Sequence, residues 1–399
     1  MLLAFATATV FVRETWPAST FQIGAFTLVA ACVTARTRTA TSRAGFHMYP
    51  FAFWCIFCLP AWGILQLAMG TTSSAADTWS ASLRWASLAA VFYLAYTLVS
   101  GSEERANANT RRAFLDVFLG FATAEAVLCL TQIFTSEGKV LWLFSSGYDN
   151  VYATFQYHNN YAQFVELALP VALWRALRDR SHGWAYALAG GTLYASVIAS
   201  SSRAGSVLCT AEVLAVLVIG LIRLRDPETG APSRSATAML AIVPAIAVVF
   251  TMVVGWENVW LRFQQQDPYL VRREFLVAAV DMAHQRPLTG FGLDTFPAAY
   301  QRYAIKDFPF YANHTHNDWA EFAADGGIPF LLLVLTPFLI AVPSSIRNPW
   351  GLGLITVMLH ACVDYPFPRP AVSGWMFALL GLLYAARASG QRSVPDAGP

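Results

Sequence analysis

The chain of 399 residues predicts an all-α polytopic membrane protein. It should have about 12 transmembrane helices and one long, partly helical loop outside. Three observations predict this: the composition, the spacing of apolar runs, and the sidedness of basic residues. Fifty-six per cent of the residues are hydrophobic and only 13% are charged, with a mean hydropathy of +0.46. Soluble domains carry about 25% charged residues. No single aqueous core could hide so much apolar surface, so much of the solvent must be lipid. The net charge of +2 is too small to point to nucleic acid.

The apolar runs fall at 1–12, 20–34, 48–69, 82–100, 113–134, 161–174, 184–199, 206–222, 237–255, 327–343, 351–363 and 371–386. Residues 1–12 lack a basic leader and a small-residue cleavage site, so they read as a short first span. The six cysteines all lie in apolar stretches. Cys55 and Cys58 form a C-x-x-C without the polar setting of a metal or redox pair, and read as packing residues. Alternate connecting loops carry 15 and 10 basic residues, with Arg84 left out because it lies at a span end. The richer set is made of short loops. The positive-inside rule therefore expects both termini in the cytoplasm. With no convincing repeat or linker, residues 1–399 read as a single integral domain.

Residues 256–326 form the long loop, which the alternation puts outside. It holds Arg262, Arg272, Arg273, Arg286, Arg302 and Lys306. Long loops cross regardless of charge, so these cations read either as a solvated surface or as a pocket for an anion. Arg203 lies in the very short outer turn SSSRAG, where a cation needs a partner or a task. Asp267-Pro268 should open a helix of about 268 to 285. Val271, Phe275, Ala278 and Met282 share one face, Arg272 lies on its edge, and Arg273 points further round. Pro287 stops this helix, and Gly290-Phe291-Gly292 turns the chain. Thr315 with Asp318 resembles a capping box opening a helix of about 316–325, with His316 in its first turn. Gly326-Gly327 should end that helix. His314 and His316 at the start of a helix converge poorly on a metal, so no metal site is expected.

At this point the residues resemble a family. The segment HNDWAEFAADGGIP (316–329) resembles the His-Asn-Asp signature of the bacterial O-antigen ligase and Wzy-type polymerase superfamily. Four further segments fit in order: ATFQYHNNYAQFVELALPVAL, SSSRAGSVL, RREFLVAAVDMAHQRPLTGFGLDTF and HACVDYPFPRPAVSGWMFALLGLL. They span residues 153 to 383, whereas the N-terminal third matches only as hydrophobic helices. Related sequences often have Asn-Arg-Asn where this chain has Tyr157-His158-Asn159, and Phe330 replaces the second glycine of Gly-x-x-Gly. The resemblance implies an inverting, metal-independent and cofactor-free glycosyltransferase of the C-type membrane fold in the bacterial inner membrane. It implies a donor glycan on undecaprenyl diphosphate and an acceptor hydroxyl on the periplasmic face. That hydroxyl belongs to lipid A–core in a ligase, to a second lipid-linked glycan in a polymerase, or to a protein side chain. The assignments that follow are His316 as general base and Arg203 with Arg272 on the diphosphate. Supporting candidates are Arg273, Asn159, Asn317, Asp318 and Asp294. Asp364 and Arg369 are expected to form an ion pair shaping the site. A lipid or solute transporter is the alternative from another class, with Glu125, Glu166 and Glu212 inside spans as its best residues.

Overall fold

The computed structural model describes residues 1–38, 50–101, 103–179, 181–223, 245, 270–304, 306 and 311–388. The apolar run 237–255 (residue 245 excepted), Arg262 and the Asp267-Pro268 cap lie outside these residues. The helices in order are α1 (Leu2–Ala8), α2 (Trp16–Arg38), α3 (Pro50–Met69), α4 (Ala75–Leu98), α5 (Glu104–Thr135), α6 (His158–Arg178) and α7 (Gly183–Ser200). They continue with α8 (Arg203–Arg223), α9 (Leu270–Gln285), α10 (Phe296–Tyr300), α11 (Asp318–Arg347), α12 (Leu352–His360) and α13 (Pro370–Ala388). Among the described residues, extended pairing is a two-residue hairpin, β1 (Lys139–Val140) with β2 (Phe144–Ser145), and an isolated bridge between Tyr152 and Phe155.

Five of these helices, α2, α3, α5, α8 and α11, are long and apolar enough to cross a membrane. That is fewer than the expected count, and the differences have physical reasons. The run 1–12 forms only the seven-residue α1. At about 1.5 Å per residue it is far too short to cross a bilayer, so it is not a span. It packs as a half-height helix, with Thr7 bonded to the α13 side chain of Trp375 at 3.0 Å. Helix α6 has the length but not the apolarity. Every residue from Asn159 to Trp174 is buried, so protein rather than lipid surrounds it. Such a central helix can carry Asn159, Asn160, Gln163 and Glu166 where a lipid-facing one could not. Helix α13 is the second pillar, buried continuously from Ala371 to Ala386.

The loops sort to two ends. At one, Arg112 meets Asp179 at 3.3 Å and Arg175 meets Asp116 at 3.1 Å. There too Arg36, Arg223 and Arg387 donate to the carbonyls of Thr97, Arg347 and Ile340. At the opposite end gather the α5–α6 hairpin, the α7–α8 turn, α9, α10 and the loops before α11 and α13.

Candidate functional site

Helix α9 builds the first wall. Its buried face of Phe275, Ala278, Ala279 and Met282 packs on Phe291, Phe296, Ala299 and Ala324. This small core is separate from the main one and holds Arg272 on the edge facing the α12–α13 loop. After Pro287 the chain docks on the kink of α11. Ile328 N donates to Pro287 O at 2.8 Å, and Gly292 N to Asp325 O at 2.8 Å. Two glycines make this approach possible. Gly290 has φ of +63° and a Cβ there would lie 2.2 Å from Asp325 O; Gly327 has φ of +74° and its Cβ would meet Leu288 and Pro287 backbone at 2.7–2.8 Å. Only glycine tolerates both constraints. Gly327 leaves helical backbone geometry, so α11 is two helices joined at a sharp break there, and the first of them ends where Gly326-Gly327 was expected to end it. Phe330, the departure from the family pattern, is fully buried, its ring 5.5 Å from Trp85.

Asp364 is the hub. It follows the turn after α12 and its side chain is wholly buried. Its Oδ2 accepts from Tyr157 Oη at 3.0 Å and from Asn159 Nδ2. Its Oδ1 accepts from Tyr365 N at 2.9 Å. Arg272 Nη2 lies 3.8 Å from Oδ2. The same guanidinium donates to Tyr157 Oη at 3.0 Å and to Val363 O at 2.9 Å. Burial alone would raise the Asp364 pKa, but the nearby His316, with His360 and Arg272, outweighs it and holds the group at about 2. Burial, then the Asp364 charge, push the Tyr157 hydroxyl well above its usual range, so it stays a donor.

His316 faces this carboxylate, its Nδ1 3.4 Å from Asp364 Oδ1 and its side chain 25% exposed. At that length the contact is electrostatic more than a full hydrogen bond. The ring is not in the first turn of a helix as the sequence suggested. It sits before the N-cap with φ of +56°. Asn317 is the cap, its side chain accepting from Ala320 N at 3.0 Å. The expected capping box fails because Asp318 turns inward, where its Oδ2 accepts from Phe367 N at 3.0 Å. Glu321 takes the reciprocal role, accepting from Thr315 N at 2.8 Å. Glu321 also holds His314 Nδ1 at 2.8 Å, and the His314 ring stacks on Tyr365 at 4.5 Å. The two histidines thus point to different carboxylates.

The other expected residues fall as follows. Arg203 opens α8 after the αL residue Ser201. Ser202 beside it donates to Asn159 Oδ1 at 2.7 Å, which ties this turn to the Asp364 hub. Arg273 is exposed on the far side of α9. Asn317 Nδ2 donates to Cys362 O at 2.9 Å. Asp294 is gripped by both arms of Arg84, one at 2.6 Å, and Asp318 faces Phe367 N, so the carboxylate beside His316 is Asp364. The expected Asp364–Arg369 pair is replaced by Asp364–Arg272. Arg369 lies over the Tyr365 ring instead, 5.7 Å from its centroid. Its position after Pro366 and Pro368 aims it back along the loop.

Sequence reasoning missed Tyr157, Tyr365 and Arg84. Tyr157 had one signal: it immediately precedes the polar run His158-Asn159-Asn160 that opens a buried helix. Arg84 had another, being the one arginine the charge map could not place.

Residues 184–335 match the family model for O-antigen ligase. Over this stretch, less than half of the chain, the protein is similar to the O-antigen ligase family. No curated protein matches the chain. The O-antigen ligase match contains Arg203, Arg272 and His316, and leaves Tyr157, Asn159, Asp364 and Tyr365 on either side of it. The structure therefore completes the site with groups that the matched segment does not contain.

Proposed function

We propose that the protein is an inverting glycosyltransferase of the O-antigen ligase type. It moves a glycan from undecaprenyl diphosphate to a hydroxyl of lipid A–core on the periplasmic face of the inner membrane. The observation that carries the reading is one half-open imidazole beside a buried, ionised carboxylate and an arginine fork. With Nδ1 turned to Asp364, His316 holds its proton there and leaves Nε2 free to accept another. The acceptor hydroxyl gives its proton to Nε2 as its oxygen attacks the anomeric carbon. The bond from that carbon to the diphosphate oxygen breaks, and its electron pair leaves with the lipid diphosphate. Attack opposite the leaving group inverts the centre. Arg272 and Arg203 offset the charge that develops on the diphosphate.

Arg272 already spends one arm on Tyr157 and lies near Asp364. Donor binding would draw that guanidinium toward phosphate and leave the Asp364 charge to His316. Against a transporter, Glu166 is closed on His360 at 2.7 Å and Glu125 on Thr154 at 3.0 Å, so neither lines an open path.

The test is purified protein with an undecaprenyl-diphosphate glycan and two acceptors. Transfer to lipid A–core supports a ligase. Extension of a second lipid-linked glycan makes it a polymerase. No transfer to either, with substrate crossing a vesicle instead, overturns the enzyme reading. Transfer should persist in EDTA; loss that magnesium or manganese restores would replace the arginines with a metal.

A further inference from the structure

The connection between α5 and α6 carries an apolar surface that the reaction does not use. Lys139–Val140 pairs antiparallel with Phe144–Ser145, and the turn between them is Leu141-Trp142-Leu143. Leu141 (φ 53°) and Trp142 (φ 60°) both adopt the left-handed conformation. Side chains with a Cβ avoid it, and hairpin turns of this kind normally use Asn or Gly. Two bulky apolar residues in that conformation are strained, and strain of this sort persists where function requires it.

The turn projects its side chains outward. Trp142 is 42% exposed, Leu143 77%, Phe144 49% and Tyr148 55%. The hairpin is held in place by the rest of the chain. Val140 is fully buried. Ser146 Oγ donates to Gly138 O at 2.7 Å, and Arg13 donates to Ser146 O at 3.0 Å. Phe144 packs on Phe11 with ring centroids 5.1 Å apart. Trp142 Nε1 donates to Thr135 Oγ1 at 2.9 Å. The result is a rigid apolar tip fixed to the end of α5.

Helix α5 decides what covers that tip. It is a candidate membrane span, and Val117, Val127 and Phe134 along it are exposed to whatever surrounds the bundle. Phe134 is one turn from the hairpin, so the tip continues the lipid-facing side of α5 at its outer end. Lys139 and Arg13, both exposed, flank it with positive charge. Aromatic rings, aliphatic side chains and cations together match the headgroup boundary of a bilayer. We propose that this hairpin is an interfacial anchor. Trp142, Leu143 and Phe144 enter the headgroup–acyl boundary beside α5, and Lys139 and Arg13 face lipid phosphates. From the hairpin the chain runs through the Tyr152–Phe155 bridge, closed at 2.8 and 2.9 Å, directly to Tyr157. The anchor thereby sets the height of the Asp364 hub relative to the membrane surface.

The test is a nitroxide at Leu143→Cys in the full chain, with Cys32, Cys58 and Cys362 changed to Ser. The protein is placed in phosphatidylethanolamine–phosphatidylglycerol nanodiscs. The label should collide more with oxygen than with a polar nickel chelate, and the reverse should hold at Tyr311→Cys, a control 65% exposed in another loop. Nickel preference at 143 equal to that at 311 puts the hairpin in water and overturns the proposal. Suppression of both collisions means a protein covers it, which also overturns it. Should Leu143→Cys fail to fold, parent and Trp142→Phe are compared instead. The emission lost with Trp142 should be quenched by lipids brominated near the headgroup. If aqueous iodide quenches it and those lipids do not, the anchor is refuted.

Discussion

Two histidine–carboxylate pairs lie a short distance apart and have opposite characters. His316 meets Asp364 at 3.4 Å with a quarter of its side chain exposed, whereas His360 meets Glu166 at 2.7 Å with both side chains fully buried. In each, Nδ1 faces the carboxylate. The residue types are nearly the same, and access makes the difference. The sealed pair joins the end of α12 to the middle of α6, and its Nε2 finds no partner among the described residues. No acceptor sugar could reach it. The outer pair is longer, lies between α12 and the loop before α11, and leaves one edge of its ring open. A histidine beside a carboxylate is thus evidence of catalysis only where the other nitrogen has somewhere to act.

Mutation of each pair tests that contrast. His316→Gln should lower turnover roughly 10²–10⁴-fold, with extraction, single-species migration and donor binding intact. Near-normal turnover in this variant would make His316 a loop anchor and erase the distinction. His314→Ala should matter much less, because its ring is committed to Glu321 and Tyr365.

The arginines come next. Arg272→Lys and Arg203→Lys keep charge but lose the planar fork. Each should cost about 10²–10³-fold in turnover, as removal of a charge-stabilising donor does. Full activity in both lysine variants would mean that the diphosphate is held elsewhere.

Asp364→Asn should cost about 10- to 100-fold, the equivalent of one charged hydrogen bond. Because Asp364 is held at about 2, it stays ionised throughout the working range and sets no acid limb of turnover there. Unchanged turnover in Asp364→Asn would disconnect this carboxylate from the chemistry. Stability has its own sign. The Asp364 group falls from an ordinary 3.8 to about 2 on folding. Its contribution is full above about pH 4 and is lost as pH falls through about 2.

The smallest effect on turnover should come from the sealed pair. Glu166→Gln or His360→Phe strands a buried partner and should destabilise the fold by about 3–5 kcal/mol. Turnover per folded molecule should change little. A thermal melt paired with active-fraction kinetics reads both. A large loss of turnover at unchanged melting temperature would bring this pair into the chemistry.

Local rules made much of the site legible. Helix α9 ends at Gln285, two residues before Pro287, and buries Phe275, Ala278 and Met282 as its 3.6-residue period requires. Arg272 and Arg273 divide between edge and exterior for the same reason. The Pro287–Gly292 turn was readable from its glycines. The partners were not readable. Asp364 was paired on paper with Arg369, five residues away, and is in fact reached by Arg272, 92 residues away. Asp294 was a supporting site candidate in the sequence and is held by Arg84, 210 residues distant. The capping of α11 also misled. Thr315 with Asp318 satisfied the local pattern, but Asp318 has a stronger claim from the buried amide of Phe367.

The sequence by itself determined the membrane class, the helical content, the ends at which basic loops gather, and the chemical inventory of arginines and histidines near one another in the chain. These follow from solvation, periodicity and charge, which act over a few residues or over a whole segment. Only the tertiary structure decided that α1 is a half-height helix, that α6 is buried on all sides, and which carboxylate meets which histidine. Those outcomes depend on distances between segments far apart in the chain. A buried charge takes whatever partner the packing brings within about 4 Å, and no local pattern encodes that.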